Sequence, residues 1–166
     1  KGSDRNVFYF VPVLFVQKNN PLGIKGVEDL RRKNLRIGIG DDRACAVGRK
    51  TLLILKNYGV SYKEIEHNVV YRSGTVNELP AAVQLGSVDV VVCWDANARH
   101  FLEYGTIVPI PRSKNSISTV PIVLLKSSIR REEALRFIEF VTSAAGRDII
   151  RAQGFTVSLD SGLSGD

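Results

Sequence analysis

The sequence predicts an α/β fold with a mainly parallel sheet, and three observations predict it. Strand-like apolar runs alternate with helix-like segments along nearly the whole chain. Two of those runs, ending near Ile39 and Arg72, lead through loops of small residues straight into helices. The 166 residues carry 44% apolar and 24% charged side chains, the balance of a globular protein with room for one core or two small lobes.

Taken in order, Val7 to Val16 is a strongly apolar strand interrupted by Pro12. Central strands avoid proline, so an edge position or a bend at Pro12 is expected. Gln17 to Gly23 is turn chemistry, and Gly26 to Leu30 begins a short helix that ends at Arg32. Leu35–Ile39 reads as a buried strand, Gly40 to Asp42 as a turn, Ala44–Gly48 as a loop, and Thr51 to Tyr58 as a helix stopped by Gly59. After a polar stretch, Asn68–Arg72 is a strand. Ser73 to Thr75 opens a helix in which Thr75 and Glu78 have capping-box spacing and Val76, Leu79 and Val83 share one face.

Val88 to Trp94 is a buried strand followed by Asp95 to His100. Thr106–Ile110 and Thr119–Leu125 are two more strands. Ser128 caps a helix with Glu132 and Glu133 in its first turn, the favourable end for acids, and with Leu135, Ile138 and Val141 inward. A last helix follows Ser143 and stops at Gly154, and the Ser/Gly/Asp-rich end, 161–166 above all, is expected to be disordered.

The net charge of +6 suits an anionic partner. The Lys and Arg residues are scattered, however, with Arg31-Arg32-Lys33 and Arg130-Arg131 as the only runs, and no aromatic-rich motif accompanies them, so nucleic acid is not expected. No apolar run reaches the ~18–20 residues of a membrane span. The lack of methionine and the start at Lys1 lead to the expectation that an N-terminal part has been removed. Cys45 and Cys93 have no metal-ligand spacing, and no cofactor or metal is expected.

The functional stretch is Leu35 to Arg49. A strand that feeds a helix through small residues presents free backbone N–H groups at the positive end of the helix dipole, a ready anion site. Tyr71 to Val76 repeats the layout, and in open α/β sheets ligands sit beyond the carboxyl ends of the strands, where Trp94 and Asp95 also lie. Catalysis would require Cys45 with His67 or His100, neither of which stands in a motif, so the chain reads as a non-enzyme.

The runs Val11-Pro-Val-Leu-Phe-Val, Ile37-Gly-Ile-Gly-Asp, Ala46-Val-Gly-Arg, Gly74-Thr-Val-Asn-Glu-Leu, Leu85-Gly-Ser-Val-Asp, Trp94-Asp and Phe137-Ile-Glu-Phe-Val occur in an order and spacing that resembles the type 2 periplasmic solute-binding proteins of ABC importers. The molybdate/tungstate-binding branch is the most similar. The resemblance implies two α/β lobes: 19–106 as lobe II, and 1–18 with 107–160 as part of lobe I, whose opening strands would precede Lys1. It implies an extracytoplasmic location, a membrane permease as partner, and a tetrahedral oxyanion as ligand, molybdate or tungstate before sulfate or phosphate. A sheet edge left open would offer a route to a homodimer. Regulators reuse the same fold as a ligand-sensing effector domain, the alternative reading.

By that resemblance the ligand meets the backbone of Ala46, Val47 and Gly48, and that of Thr75 and Val76. The family's hydroxyl-donating tyrosine falls at Trp94, whose indole N–H donates one hydrogen bond. Asp95 is a candidate coordinating carboxylate and Arg43 a candidate anion contact. Convergence of the strand ends would also bring Cys45 and Cys93 near each other, and an oxidising compartment would permit a disulfide. Two helix N-termini contribute roughly 0.3–2 kcal/mol each, against about 8 kcal/mol for micromolar affinity, so these contacts alone predict weak binding.

Overall fold

The computed structural model describes residues 4–159, which form two sheets flanked by helices. The calls at 161–166 and at the start of the chain therefore lie outside the described residues. In order come β1 (Arg5–Phe10), β2 (Pro12–Gln17), a 3-10 turn (Val27–Arg31), β3 (Ile37–Gly40), α1 (Ala46–Asn57), α2 (Tyr62–Ile65), β4 (Val69–Ser73) and α3 (Glu78–Gln84). These are followed by β5 (Val90–Trp94), α4 (Asp95–Arg99), β6 (Gly105–Pro109), β7 (Ser118–Ile122), α5 (Arg131–Thr142) and α6 (Ala144–Ala152).

The larger sheet runs β4-β3-β5-β2-β6, and β1 pairs with β7 in the smaller one and bridges to Thr156 through Tyr9. Pairing is parallel from β4 through β3 to β5, but β2 is antiparallel to both β5 and β6, so the sheet is mixed rather than mainly parallel. The apolar run Val7 to Val16 is two strands in two sheets. The chain changes sheet at Val11, and Pro12 opens a central strand, not an edge strand. A proline is tolerated there because the first residue of a strand can forgo its ladder hydrogen bond. β2 and β6 both lie in the larger sheet, and the chain passes between the two sheets at Val11 and after β6 near Ile110.

Val13, Leu14, Phe15 and Val16 are consecutive and all buried, so both faces of this sheet are covered. β5 is buried along its whole length, and α1 and α3 pack on β3 and β5. Gly105 is required where the ring of Phe15 crosses β6: a Cβ there would meet the ring at 2.1 Å.

Three helix boundaries differ from the sequence expectation. α1 begins at Ala46, so the small residues form its first turn instead of a loop before it. α3 begins at Glu78 because the Glu78 carboxylate is taken by the Ser73 and Tyr71 hydroxyls and makes no return bond to Thr75. α5 begins at Arg131 without a side-chain cap from Ser128, and Leu135 is exposed while Ile138 is buried.

Candidate functional site

The parallel pairing of β3 with β4 and β5 brings the carboxyl ends of three strands to one edge, where Asp41, Gly74 and Asp95 follow them. The first two junctions are joined directly: the Asp41 N–H donates to Ser73 O at 2.8 Å. Glycine makes the α1 junction possible. A Cβ on Gly48 would stand 2.3 Å from Gly40 O, and one on Gly40 would stand 2.9 Å from Gly48 N. The first turn of α1 therefore lies against the end of β3 at a distance no larger residue allows.

The backbone N–H groups of this loop divide into two sets. Asp41 Oδ1 accepts from the N–H groups of Arg43 (2.8 Å) and Ala44 (3.1 Å), and these bonds hold its carboxyl below the usual range, helped by the charges of Arg43 and Arg72. The Gly48 N–H donates to Cys45 O at 3.1 Å. The N–H groups of Ala46 and Val47 donate to nothing among the described residues, as the first N–H groups of a helix cannot bond within it. Ala46 is exposed and Val47 is a core residue, so the packed side chain of Val47 fixes the direction of both.

At the second junction the Thr75 N–H donates to Ser73 Oγ at 3.0 Å, whereas the Val76 N–H has no acceptor among the described residues. Val76 is half-buried against the core. Asn97 Nδ2 donates to Asn77 Oδ1 at 2.6 Å and ties the loop before α3 to α4. Arg43 is exposed beside the first junction, while Arg72 is held over the Tyr62 ring and hydrogen-bonded to its hydroxyl.

At the third strand end, Trp94 and Asp95 are taken up by contacts with Phe10, Val11 and Thr156. The Trp94 ring is buried and stacks on Phe10 of the smaller sheet, with centroids 5.0 Å apart. Asp95 is buried where the chain changes sheet: Oδ1 accepts from the Val11 N–H at 3.3 Å, Oδ2 from the Thr156 hydroxyl, and its own N–H donates to Val11 O at 2.8 Å. Burial pushes its carboxyl above the usual range, against the pull of the Thr156, Val11 and Ala96 bonds. With both oxygens engaged, Asp95 pins the crossing rather than presenting a free carboxylate. Asn115, which sequence reasoning missed, does the same from the other side: its Nδ2 donates to Pro12 O (2.9 Å) and Ile110 O (3.3 Å) at the two crossings. No local pattern marks it, since the Pro12 oxygen it reaches is 103 residues away.

Cys45 and Cys93 are both buried free thiols, and burial pushes that of Cys93 up. His67 and His100 are exposed. No group of three or more His, Cys, Asp or Glu able to hold a metal occurs among the described residues, and no helix there is long and apolar enough to cross a membrane.

This arrangement has two strand-to-helix junctions with unspent amides beside a pinned double crossing between sheets. The sequence profile of the bacterial extracellular solute-binding protein family matches residues 1–156. The chain belongs to that family. A Haemophilus influenzae protein named a binding protein is 29% identical to this solute-binding chain over 145 residues, 87% of this chain and 58% of its own length. The chain thus spans less than two thirds of that curated relative.

Among solved structures, the substrate-binding domain of a molybdenum ABC transporter from Clostridium difficile superposes with a TM-score of 0.80 at 21% identity, over 94% of this chain and 67% of its own. PEB3 of Campylobacter jejuni, solved with L-phospholactate, gives a TM-score of 0.77 at 18% identity, over 93% of this chain and 68% of its own. At such identities these two likenesses establish the fold.

Proposed function

We propose that this solute-binding chain captures a tetrahedral oxyanion for an ABC importer outside the cytoplasm, with molybdate or tungstate ahead of sulfate and phosphate, and hands it to a membrane permease. The observation that carries the reading is the pair of joined junctions, in which Ala46, Val47 and Val76 keep backbone N–H groups without acceptors among the described residues while Asp41 takes those of Arg43 and Ala44. Amide groups at a helix start favour an anion through both the hydrogen bonds and the dipole. Support for the ligand class comes from the two solved relatives above, whose names carry molybdenum and a phosphorylated acid.

On this reading Ala46, Val47, Thr75 and Val76 face the anion, Gly48 permits the approach, and Arg43 adds charge from the rim. Trp94 senses the crossing, and Asp95 holds it. Two-lobe closure about the crossings at Val11 and Ile110 would desolvate the ligand and create the surface the permease docks. Homodimerisation through an open sheet edge belongs to the same proposal, and light scattering that finds only monomer counts against it.

The test is a fluorescence titration of Trp94, the single tryptophan. Saturable changes with molybdate and tungstate, and weaker ones with sulfate and phosphate, are expected. Identical drifts with all four salts would remove the oxyanion reading. The substitution Ala46→Pro sharpens it: proline fits the first helical position, and Cys45 before it is already extended at φ −117° and ψ 127°. The fold should therefore persist while one anion-facing N–H disappears, weakening binding by roughly 10- to 150-fold.

A further inference from the structure

The chain joins the two sheets covalently near Val11 and Ile110, and a further link joins them without a covalent crossing. It is the stretch 154–157 after α6, which touches both sheets within a few residues. Gly154, at φ +88°, turns the chain out of α6.

On the side of the smaller sheet the grip is broad. The Tyr9 N–H of β1 donates to Thr156 O at 2.8 Å, part of an antiparallel bridge. The Phe155 ring centroid lies 4.6 Å from that of Phe8 and 6.0 Å from that of Phe10, and Val157 is buried. The stretch also grows from α6, which packs on α5, and α5 packs on β1. On the side of the larger sheet the grip is narrow. The Thr156 hydroxyl donates to Asp95 Oδ2 at the start of α4, and Gly154 lies against Arg99 and Ala96 of the same short helix. Packed rings and a backbone bridge engage many atoms, whereas one hydroxyl bond is a point contact. Two packed bodies that move against each other give up the least costly contact first. Here that contact is the Thr156–Asp95 bond.

We propose that the stretch 154–157 is a strap that moves with the smaller sheet, and that the Thr156–Asp95 hydrogen bond is the catch that holds the two sheets in their present orientation. Release of the catch lets the smaller sheet swing about Val11 and Ile110 and draws Phe10 off Trp94, whose ring centroids stand 5.0 Å apart. Asp95 keeps its bonds with Val11 in the released state, because they continue the pairing of β2 with β5 within the larger sheet. The inference concerns the ligand-free chain and does not depend on which solute the α1 junction takes.

The experiment is acrylamide quenching of Trp94 fluorescence in the ligand-free protein, read beside hydrogen exchange at the Tyr9 and Leu14 amides. Thr156→Val keeps the side-chain shape and removes the hydroxyl. It should raise the quenching rate roughly 2- to 10-fold, the equilibrium factor of one hydrogen bond. Tyr9 exchange should stay at the wild-type rate because the strap remains on β1, and so should Leu14 exchange, at the centre of the larger sheet. Thr156→Ser retains a hydroxyl and should quench like the wild type. Unchanged quenching in Thr156→Val would overturn the inference, as would Thr156→Ser quenching as readily as Thr156→Val. Faster Tyr9 exchange in Thr156→Val would show that the strap leaves the smaller sheet, and faster Leu14 exchange that Thr156 serves general stability. Either result would also overturn it.

Discussion

The larger sheet and the smaller one carry the same kind of sequence pattern and end up in opposite surroundings. Along β2, four consecutive apolar residues from Val13 to Val16 are at most 1% exposed, with α1 and α3 against the sheet. In α5 only Ile138 is buried, while Phe137 and Phe140 are 60% and 52% exposed, and Ile129 just before the helix is 97% exposed. Amphipathic spacing fixes which side chains share a face, but whether a neighbour covers that face depends on the rest of the structure. The larger sheet therefore holds most of the hydrophobic stabilisation, whereas α5 leaves Leu135, Phe137 and Phe140 exposed on its surface.

The comparison breaks most easily at Leu14, which is fully buried in the larger sheet. Leu14→Ala should cost about 2–5 kcal/mol in urea unfolding, and a near-neutral result would show that this sheet is not where stability resides. Gly48→Ala comes next. Its Cβ would be 2.3 Å from Gly40 O and 2.7 Å from Asp41 O, so α1 must shift from β3 at about 1–3 kcal/mol. The Trp94 response to molybdate should be lost with it, because the Ala46 and Val47 amides move.

Asp95 tests the seam between the two regions. Its carboxyl is held above the ordinary range by burial, so the folded state binds the proton more tightly than the unfolded state does. That contribution to stability is full below the unfolded value of about 3.9 and is lost as pH rises through the folded one. Asp95→Asn keeps the shape and an acceptor for Val11 but removes the titration. The wild type should thus gain stability relative to the variant on mild acidification. Thermal unfolding across the acid range reads this, and parallel curves for the two proteins would contradict it. The smallest effect is expected at Phe137. Phe137→Ser should change unfolding free energy by less than about 0.5 kcal/mol in urea unfolding. A large destabilisation would mean that α5 belongs to the main core after all.

Much of the fold was legible because its signals are local. Gly59 stops α1 with φ +65°, and Ser143 caps α6 by accepting from the Gly146 N–H at 3.2 Å. Two Ser/Thr-x-x-Glu patterns show where such signals fail. Ser61 and Glu64 form the reciprocal cap, with the Ser61 N–H on Glu64 Oε2 at 2.7 Å, and α2 follows. Thr75 and Glu78 have the same spacing, but Ser73 and Tyr71 on β4 supply hydroxyls that capture Glu78. Hydroxyls on the strand just before the loop outcompeted the capping bond.

The candidate site divides the same way. The small residues from Ala44 to Gly48 and the apolar strand before them announce a strand-to-helix junction, and Val76 announces another. The sequence by itself determined the alternation of strands and helices and announced two strand-to-helix junctions, because backbone geometry and side-chain size act over a few residues. Only the tertiary structure decided that β2 runs antiparallel in the middle of the larger sheet, that Asp95 spends both oxygens on the crossing, that Trp94 stacks on Phe10, and that Thr156 reaches both Tyr9 and Asp95. Most of those contacts join residues far apart in the chain, Asp95 and Thr156 by 61 positions and Asp95 and Val11 by 84, and no local propensity encodes which distant partner reaches a polar group first.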